Sequence, residues 1–268
     1  MKIEHERGYL VIAQNTDTTD YLSCATLLAR RLKTFDPNNK ICLLTDQEPG
    51  DRVSDFDIIK FFPFGDRSGD SNWKLHNDWQ CFYASPFRQT IKIEADIMLP
   101  QDIQHWFDIC QIKDLVLTIG SRNFWNQKTD VRYYRKIFDE NQLPDVYNAI
   151  TYWRLSQTAQ EFFTLVKDIF ENWEEVMTTL KFAKSQPLNT DLAYAIAATV
   201  LGVEKCTLPL LDVPSLTHMK SRINDLSNDD WTKELIWEIA PSSLRINTIE
   251  QQWPFHYHIK SWAKNIIV

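Results

Sequence analysis

Two carboxylates stand two residues apart, Glu94 and Asp96, directly behind the expected strand Gln89 to Ile93. At the end of a buried strand the following turn lets both converge on one hard cation. Oxygen ligands of this kind suit Mn²⁺ or Mg²⁺, ions that share their shell with substrate phosphates. A cation held there would neutralise a diphosphate and stabilise it as a leaving group; the plainer reading is a solvated strand end. Far along the chain, His256 and His258 lie in an aromatic, extended context where residues two apart share one strand face. One of them is a candidate metal ligand, and Lys260 a candidate phosphate contact; the alternative is a core histidine. His218-Met219-Lys220 repeats that pattern more weakly.

Other positions offer supporting chemistry, each beside a structural alternative. Asp46 could meet a nucleobase or ribose, or simply serve a turn. Lys74 and Arg88 flank the segment leading to the acidic pair and are candidate diphosphate contacts, although exposed basic residues are usually solvated. Asn148 could hold a sugar hydroxyl or satisfy backbone groups. Asp191 could orient a sugar or stabilise positive charge developing at its anomeric carbon; capping the alanine-rich helix that follows is the rival role. Arg122, Phe124, Trp125, Lys128, Arg132, Tyr133, Tyr134, Arg135 and Lys136 interleave cations with aromatics, as strand-binding surfaces do. An acceptor-binding loop, with DNA as the acceptor, competes there with a solvated helix.

These residues need a frame, and the sequence reads as alternating strands and helices. Tyr9 to Ala13 is a buried strand, and Leu22, Ala25, Leu28, Ala29 and Leu32 recur at helical spacing until Asp36-Pro37. Ile41 to Leu44, Ile58 to Phe62, Gln89 to Ile93, Leu115 to Ile119 and Tyr147 to Trp153 are further strands; Trp73 to Ala84 reads as a helix. Thr158 and Glu161 have capping-box spacing. Behind them Phe162, Val166, Ile169, Trp173, Val176, Met177 and Leu180 predict one long amphipathic helix. A short alanine-rich helix is expected over Asp191 to Leu201, and the part after Cys206 reads as irregular. This pattern predicts an α/β fold with a mainly parallel, doubly wound sheet, whose ligands collect at the carboxyl ends of the strands.

The order of these segments resembles GT-A glycosyltransferases, especially the glycogenin-like and lipopolysaccharide-galactosyltransferase-like group. Ala13-Gln14-Asn15-Thr16 matches that group's nucleotide-binding loop, and Glu94-Ala95-Asp96 its Asp-any-Asp motif. Tyr147-Asn148-Ala149 matches the Asn-containing strand, Leu188-Asn189-Thr190-Asp191 the Asn/Gln-any-Asp helix start, and His256 to Trp262 the late His segment. The opening Gly8 to Asn15 also resembles glycosyltransferases of large tailed bacteriophages. The resemblance implies a GT-A-like (Rossmann-like) domain over 1–268, with a nucleotide-binding half at about 8–100 and a sugar and acceptor half at about 101–262. It implies transfer of a sugar from a nucleotide diphosphate donor, a UDP-sugar, to a hydroxyl that could belong to a modified base of phage DNA. Glu94 stands where the family has Asp, and the late segment lacks the family's internal Gly, which leaves His256 and His258 open.

Composition sets limits. The net charge of −7 disfavours a general nucleic-acid coat. Five scattered cysteines without metal spacing read as buried thiols in a reducing compartment, and no apolar run approaches a membrane span. A cytoplasmic protein is expected, in the host cytoplasm if phage-encoded, with no membrane partner. A nucleotidyltransferase would want a Gly-rich phosphate loop near the first strand. With 6 Gly in the chain, and none between Gly8 and Gly50, that signal is missing. A non-catalytic DNA-binding or assembly protein on the same fold remains the rival from another class.

Overall fold

A computed structural model describes residues 2–68, 74–129, 135–208, 211–240 and 243–266. Its main sheet contains β1 (His5–Ile12), β2 (Ile41–Thr45), β3 (Ile58–Phe61), β4 (Phe87–Glu94), β6 (Leu115–Ile119) and β9 (Val146–Arg154). The order across the sheet is β3-β2-β1-β4-β9-β6. β1, β2, β3 and β4 pair in parallel, and only β9 runs against its neighbours. The chain therefore winds outward from β1 to β3, then returns to lay β4 on the other side of β1. That reversal opens a crevice at the carboxyl ends of β1 and β4, the place where open α/β sheets bind ligands.

Both sheet faces are covered, so the central strands are apolar on both sides, as parallel strands usually are. Tyr9, Val11, Ile91 and Ile93 pack under helix Tyr21–Phe35 through Leu22, Ala25, Leu28 and Leu32. Leu10, Leu44, Leu117 and Trp153 face helices Gln157–Glu171 and Thr190–Leu201. The helix of the first crossover starts where Asp20 accepts the Ser23 N–H. All five cysteines are buried and unpaired. No described helix is long and apolar enough to cross a membrane.

Three sequence expectations need correction. The long helix after Thr158 breaks at Asn172 into Gln157–Glu171 and Trp173–Thr179, and its cap is Ser156, whose hydroxyl accepts the Ala159 N–H. The apolar period continues through Trp173 because both pieces pack on the same core, so periodicity alone hides the break. Within Trp73 to Ala84, Trp73 lies outside the described residues. The remainder is a 3₁₀ turn, Lys74–Asn77, and a helix only at Gln80–Ala84. There the side chains of Asn77 and Gln80 bind loop groups, Arg67 N–H and Gly65 C=O, in place of an exposed polar helix face.

The part after Cys206 is not irregular. It supplies β10 (Thr217–His218), β11 (Trp237–Ala240), β12 (Ser243–Ile246), β13 (Ile249–Glu250) and β14 (Phe255–His256). β11 to β13 form a small antiparallel sheet. β14 and β10 join β5 (Ile97–Met98), β7 (Ser121–Arg122) and β8 (Lys128–Thr129) in the order β5-β14-β10-β7-β8. Strands of two residues are too short to show a period in sequence.

Gly8 sits opposite Thr90 in the β1–β4 pairing, and a Cβ there would meet the Phe87 ring at 2.3 Å. Phe87 is buried and cannot swing away freely. Gly8→Ala is expected to destabilise the protein by about 1–3 kcal/mol in urea unfolding, the usual cost of overpacking. The same change made in a Phe87→Leu background should cost less; equal costs in both backgrounds would refute this clash.

Candidate active site

β4 ends at Glu94, and Ala95-Asp96 turn the chain straight into β5. β14 pairs antiparallel with β5, setting His256 opposite Ile97, and parallel with β10, setting His218 beside His256. This short sheet delivers an imidazole to the strand end. His256 Nε2 lies 2.7 Å from Asp96 Oδ2 and 3.9 Å from Glu94 Oε2. One ligand atom from each of Glu94, Asp96 and His256 falls within 4.8 Å of the others, and this is the group among the described residues with such geometry. The Lys260 ammonium also contacts Asp96 Oδ2.

Of the paired histidines, the structure brings His256 and not His258 to the carboxylates. The strand ends at His256, and His258 turns into the left-handed region at φ 60°, so strand alternation does not carry across. The His258 ring stands at 88° to that of His256, with centroids 6.3 Å apart. His218 instead stacks on His256, centroids 4.5 Å apart and planes at 2°.

The cavity over this cluster has a volume of about 300 Å³. Gln14 and Thr16 line it from the end of β1, Lys74 from the segment before β4, Glu94, Asp96 and Lys92 from β4 and its turn, and Lys220, His256, His258 and Lys260 from later segments. Burial alone would raise the Asp96 pKa, but His256 and Lys260 outweigh it and hold the carboxyl well below its usual range. Burial dominates at Glu94 and raises its pKa, only partly offset by His256. Burial likewise lowers His258 to about 4, and keeps His218 a neutral imidazole. Burial also opposes the charge on Lys260, yet Asp96, Tyr21 and Glu94 together raise its pKa above the ordinary value.

Several expected site residues lie elsewhere. Arg88 is at the opposite end of β4, exposed and paired with Glu6 at 3.2 Å. Six residues of strand, about 3.3 Å each, separate it from Glu94. Ala13 is buried in the core under helix Tyr21–Phe35, and Asn15 accepts the Leu22 N–H, fixing the start of that helix. Asp46 is exposed outside the cavity and accepts from Gln14, whose carbonyl in turn accepts from Asn77. Lys74 lines the cavity while paired with Asp66 at 3.1 Å.

Asn148 is fully buried and sits behind the cavity wall, its amide donating to Asp78 Oδ1 at 3.1 Å. Asp191 does not cap its helix, because Asn189 accepts the Leu192 N–H instead. Its carboxylate accepts the Asn148 backbone N–H at 2.8 Å and faces a neighbouring cavity.

The basic, aromatic stretch is largely tied down where it is described. Arg122 and Lys128 both pair with Asp212, Arg122 also lies over the Trp253 ring, and Phe124 is buried in the core. Arg135 is an ion-paired partner of Asp145 at 2.9 Å. Arg132, Tyr133 and Tyr134 lie outside the described residues. Among the described residues of the stretch, ion pairs and core packing account for Arg122, Phe124, Lys128 and Arg135, while Trp125 is exposed and Lys136 lies over the Phe182 ring.

No protein-family model matches the chain, and no curated protein matches it. Among solved structures, the fold is similar to galactosyltransferase LgtC in complex with donor and acceptor sugar analogs, at 11% identity and TM-score 0.46 over 70% of each chain. It is similar to glycosyltransferase GlyE of Streptococcus pneumoniae, at 12% and 0.48, over 76% of this chain and 46% of that one. Mouse xyloside xylosyltransferase 1 in its apo form aligns at 10% and 0.45, over 86% and 93%. Likeness at this level assigns no activity to any residue here.

Sequence reasoning missed Asp78 and Lys92, and reached Lys220 only through the weaker His218-Met219-Lys220 repeat. Lys92 is the residue whose signal was readable: a lysine inside Thr90-Ile91-Lys92-Ile93, a strand expected to be buried, must have a counter-charge nearby. Its ammonium pairs with Asp78, which also accepts from Tyr194 at 2.5 Å and from Asn148. Lys92→Met leaves the Asp78 carboxylate buried without its cation. It is expected to cost about 3–5 kcal/mol in chemical denaturation, as breaking a buried pair usually does. A loss under about 1 kcal/mol, the range of an exposed pair, would contradict this picture.

Proposed function

We propose that this chain is a GT-A-type, metal-dependent glycosyltransferase that moves a sugar from a nucleotide diphosphate sugar, a UDP-sugar, to an acceptor hydroxyl. One observation carries the reading. Glu94, Asp96 and His256, from segments 160 positions apart, converge on one point at the reversal of the sheet, inside a cavity that also holds Lys74, Lys220 and Lys260. Two carboxylates and an imidazole fit Mn²⁺ or Mg²⁺, and the imidazole favours Mn²⁺. Such an ion supplies charge neutralisation to a departing diphosphate.

The residues of the chain divide the remaining work. Asp96 and Glu94 at the strand end would hold the cation together with His256, whose ring the stacked His218 steadies. Lys260, in contact with Asp96 and lining the cavity, is placed to take up diphosphate charge. Gln14 and Thr16, at the end of β1, are placed for the nucleoside. In the reaction the anomeric carbon–phosphate oxygen bond breaks and the acceptor oxygen bonds to that carbon. The acceptor proton and the nucleoside diphosphate leave. The five buried, unpaired thiols support a reducing compartment such as the cytoplasm.

Titration of UDP into the protein with Mn²⁺ should give binding that EDTA abolishes, and at 100 times Kd the ligand should add about 2.7 kcal/mol of stability. Asp96→Asn and His256→Ala should each weaken Mn²⁺ at least ten-fold, whereas Arg88→Ala should leave it unchanged. UDP binding that is equally tight in EDTA would sink the metal-centred reading. A second expectation concerns acid: Mn²⁺ affinity should fall as pH drops, because protons compete with the cation for imidazole and carboxylate.

A further inference from the structure

A second cavity, of about 440 Å³, opens beside the first. Lys220 lines both, and its ammonium feels Asp191 on one side and Glu94 on the other. The wall includes Arg135, Tyr147, Phe182, Gln186 and Asp191. Asp191 is held in place from two directions. Asn148 N–H donates to one oxygen, and the Arg135 guanidinium lies 3.5 Å from the other. Arg135 in turn is sandwiched between Phe138 and Tyr147, at 3.9 and 4.2 Å from their centroids. A carboxylate so fixed, 26% exposed, is preorganised for a partner in the cavity.

Phe182 stands on the rim. The residue is 58% exposed, and its backbone is in the left-handed region at φ 59°. A bulky residue there is strained by about 1–3 kcal/mol and gains little burial in return. The segment around it is pinned rather than frayed. Lys181 exchanges hydrogen bonds with the Asn141 side chain at 2.9 and 3.0 Å, and the Trp173 indole donates to Gln186 C=O at 2.8 Å. The Lys136 ammonium lies over one face of the ring, 3.6 Å from its centroid, and the rest of the exposed ring is presented to the cavity.

We propose that this second cavity is the acceptor site, and that its acceptor is a saccharide, seated against the Phe182 ring with hydroxyls read by Asp191 and the Gln186 amide. The inference rests on the glycosyltransferase reading for the word acceptor, but not for the ligand class. An aromatic face suits the apolar C–H face of a pyranose, and a few fixed polar groups orient its hydroxyls. A nucleic-acid strand would need free cations for its phosphates. Arg122 and Lys128 are neutralised by Asp212, Arg135 in the cavity wall by Asp145 and Asp191, and Lys136 beside it is set over the Phe182 ring. From this seat the acceptor lies across Lys220 from the Glu94–Asp96 cluster, so the two substrates approach from opposite sides of one lysine.

The test uses the full chain with Mn²⁺ and UDP. Saturation-transfer NMR is recorded with methyl glycosides of glucose, galactose, mannose, xylose and N-acetylglucosamine, and with an oligonucleotide carrying hydroxymethylcytosine. At least one glycoside should bind, and Phe182→Gly should weaken it ten-fold or more. The same variant should keep UDP affinity within two-fold and show an equal or higher unfolding temperature, since glycine adopts this φ without strain. Glycoside binding that is absent, or unchanged in Phe182→Gly, overturns the proposal, as does an oligonucleotide that binds in place of the sugars. If UDP fails to bind the wild type, the donor reading falls, and the glycoside spectra still decide this one.

Discussion

Carrying an ammonium into the middle of a sheet costs several kcal/mol unless a partner waits for it. Lys92 makes that demand from the central strand β4, with its side chain 1% exposed. Asp78 answers it from the segment between β3 and β4, Asn148 from β9, and Tyr194 from helix Thr190–Leu201. Four pieces of chain are thus tied at one point beneath the cavity. Such a node has strict geometry, because each donor must reach one of only two carboxylate oxygens. Burial opposes the charge on Lys92, but Asp78 prevails and its pKa rises above normal, so the ion pair persists at neutral pH. Glu94 lies two residues farther on the same strand, and its position follows from how β4 is seated.

The second organising device is a sheet of very short strands. β5, β14, β10 and β7 contribute two residues each, too few to be stable as a sheet alone. They persist because Phe255 and Tyr257 belong to the core that packs under β1 and β4, together with Trp231 and Trp262. The aromatic richness of the chain is therefore mostly a packing requirement. It clamps the segment that carries His256 and Lys260 against the end of β4.

Much of this frame was legible in the sequence. Each strand of the main sheet was expected within a few residues of where it lies, because apolar runs of four to nine residues bounded by polar turns are hard to place otherwise. Glu94 and Asp96 were legible for the same reason, since a strand end can be read from one local pattern. What stayed hidden depends on contacts between distant segments. No local signal distinguishes His256 from His258, because the choice turns on where a two-residue strand stops. Arg88 and Lys74 looked equivalent as basic residues near the acidic pair, yet one is at the wrong end of a strand. Asp191 was ambiguous until Asn189 was seen to take the cap. Arg122 and Lys128 looked free because their carboxylate partner, Asp212, is far away in the chain.

Asp96 and His256 meet across 160 positions. During synthesis at roughly 5–20 residues per second, the two carboxylates leave the ribosome about 8–32 s before the imidazole that completes their set. For that interval the chain owns the first strands of the main sheet and half a cation site. A pair of carboxylates alone is a poor trap for a transition-metal ion, so under the proposed function a nascent chain would not lock one in early. On the proposed reading, a cation would be captured late, with the laying of β14 beside β5, and a firmly held ion would report a chain that has finished folding.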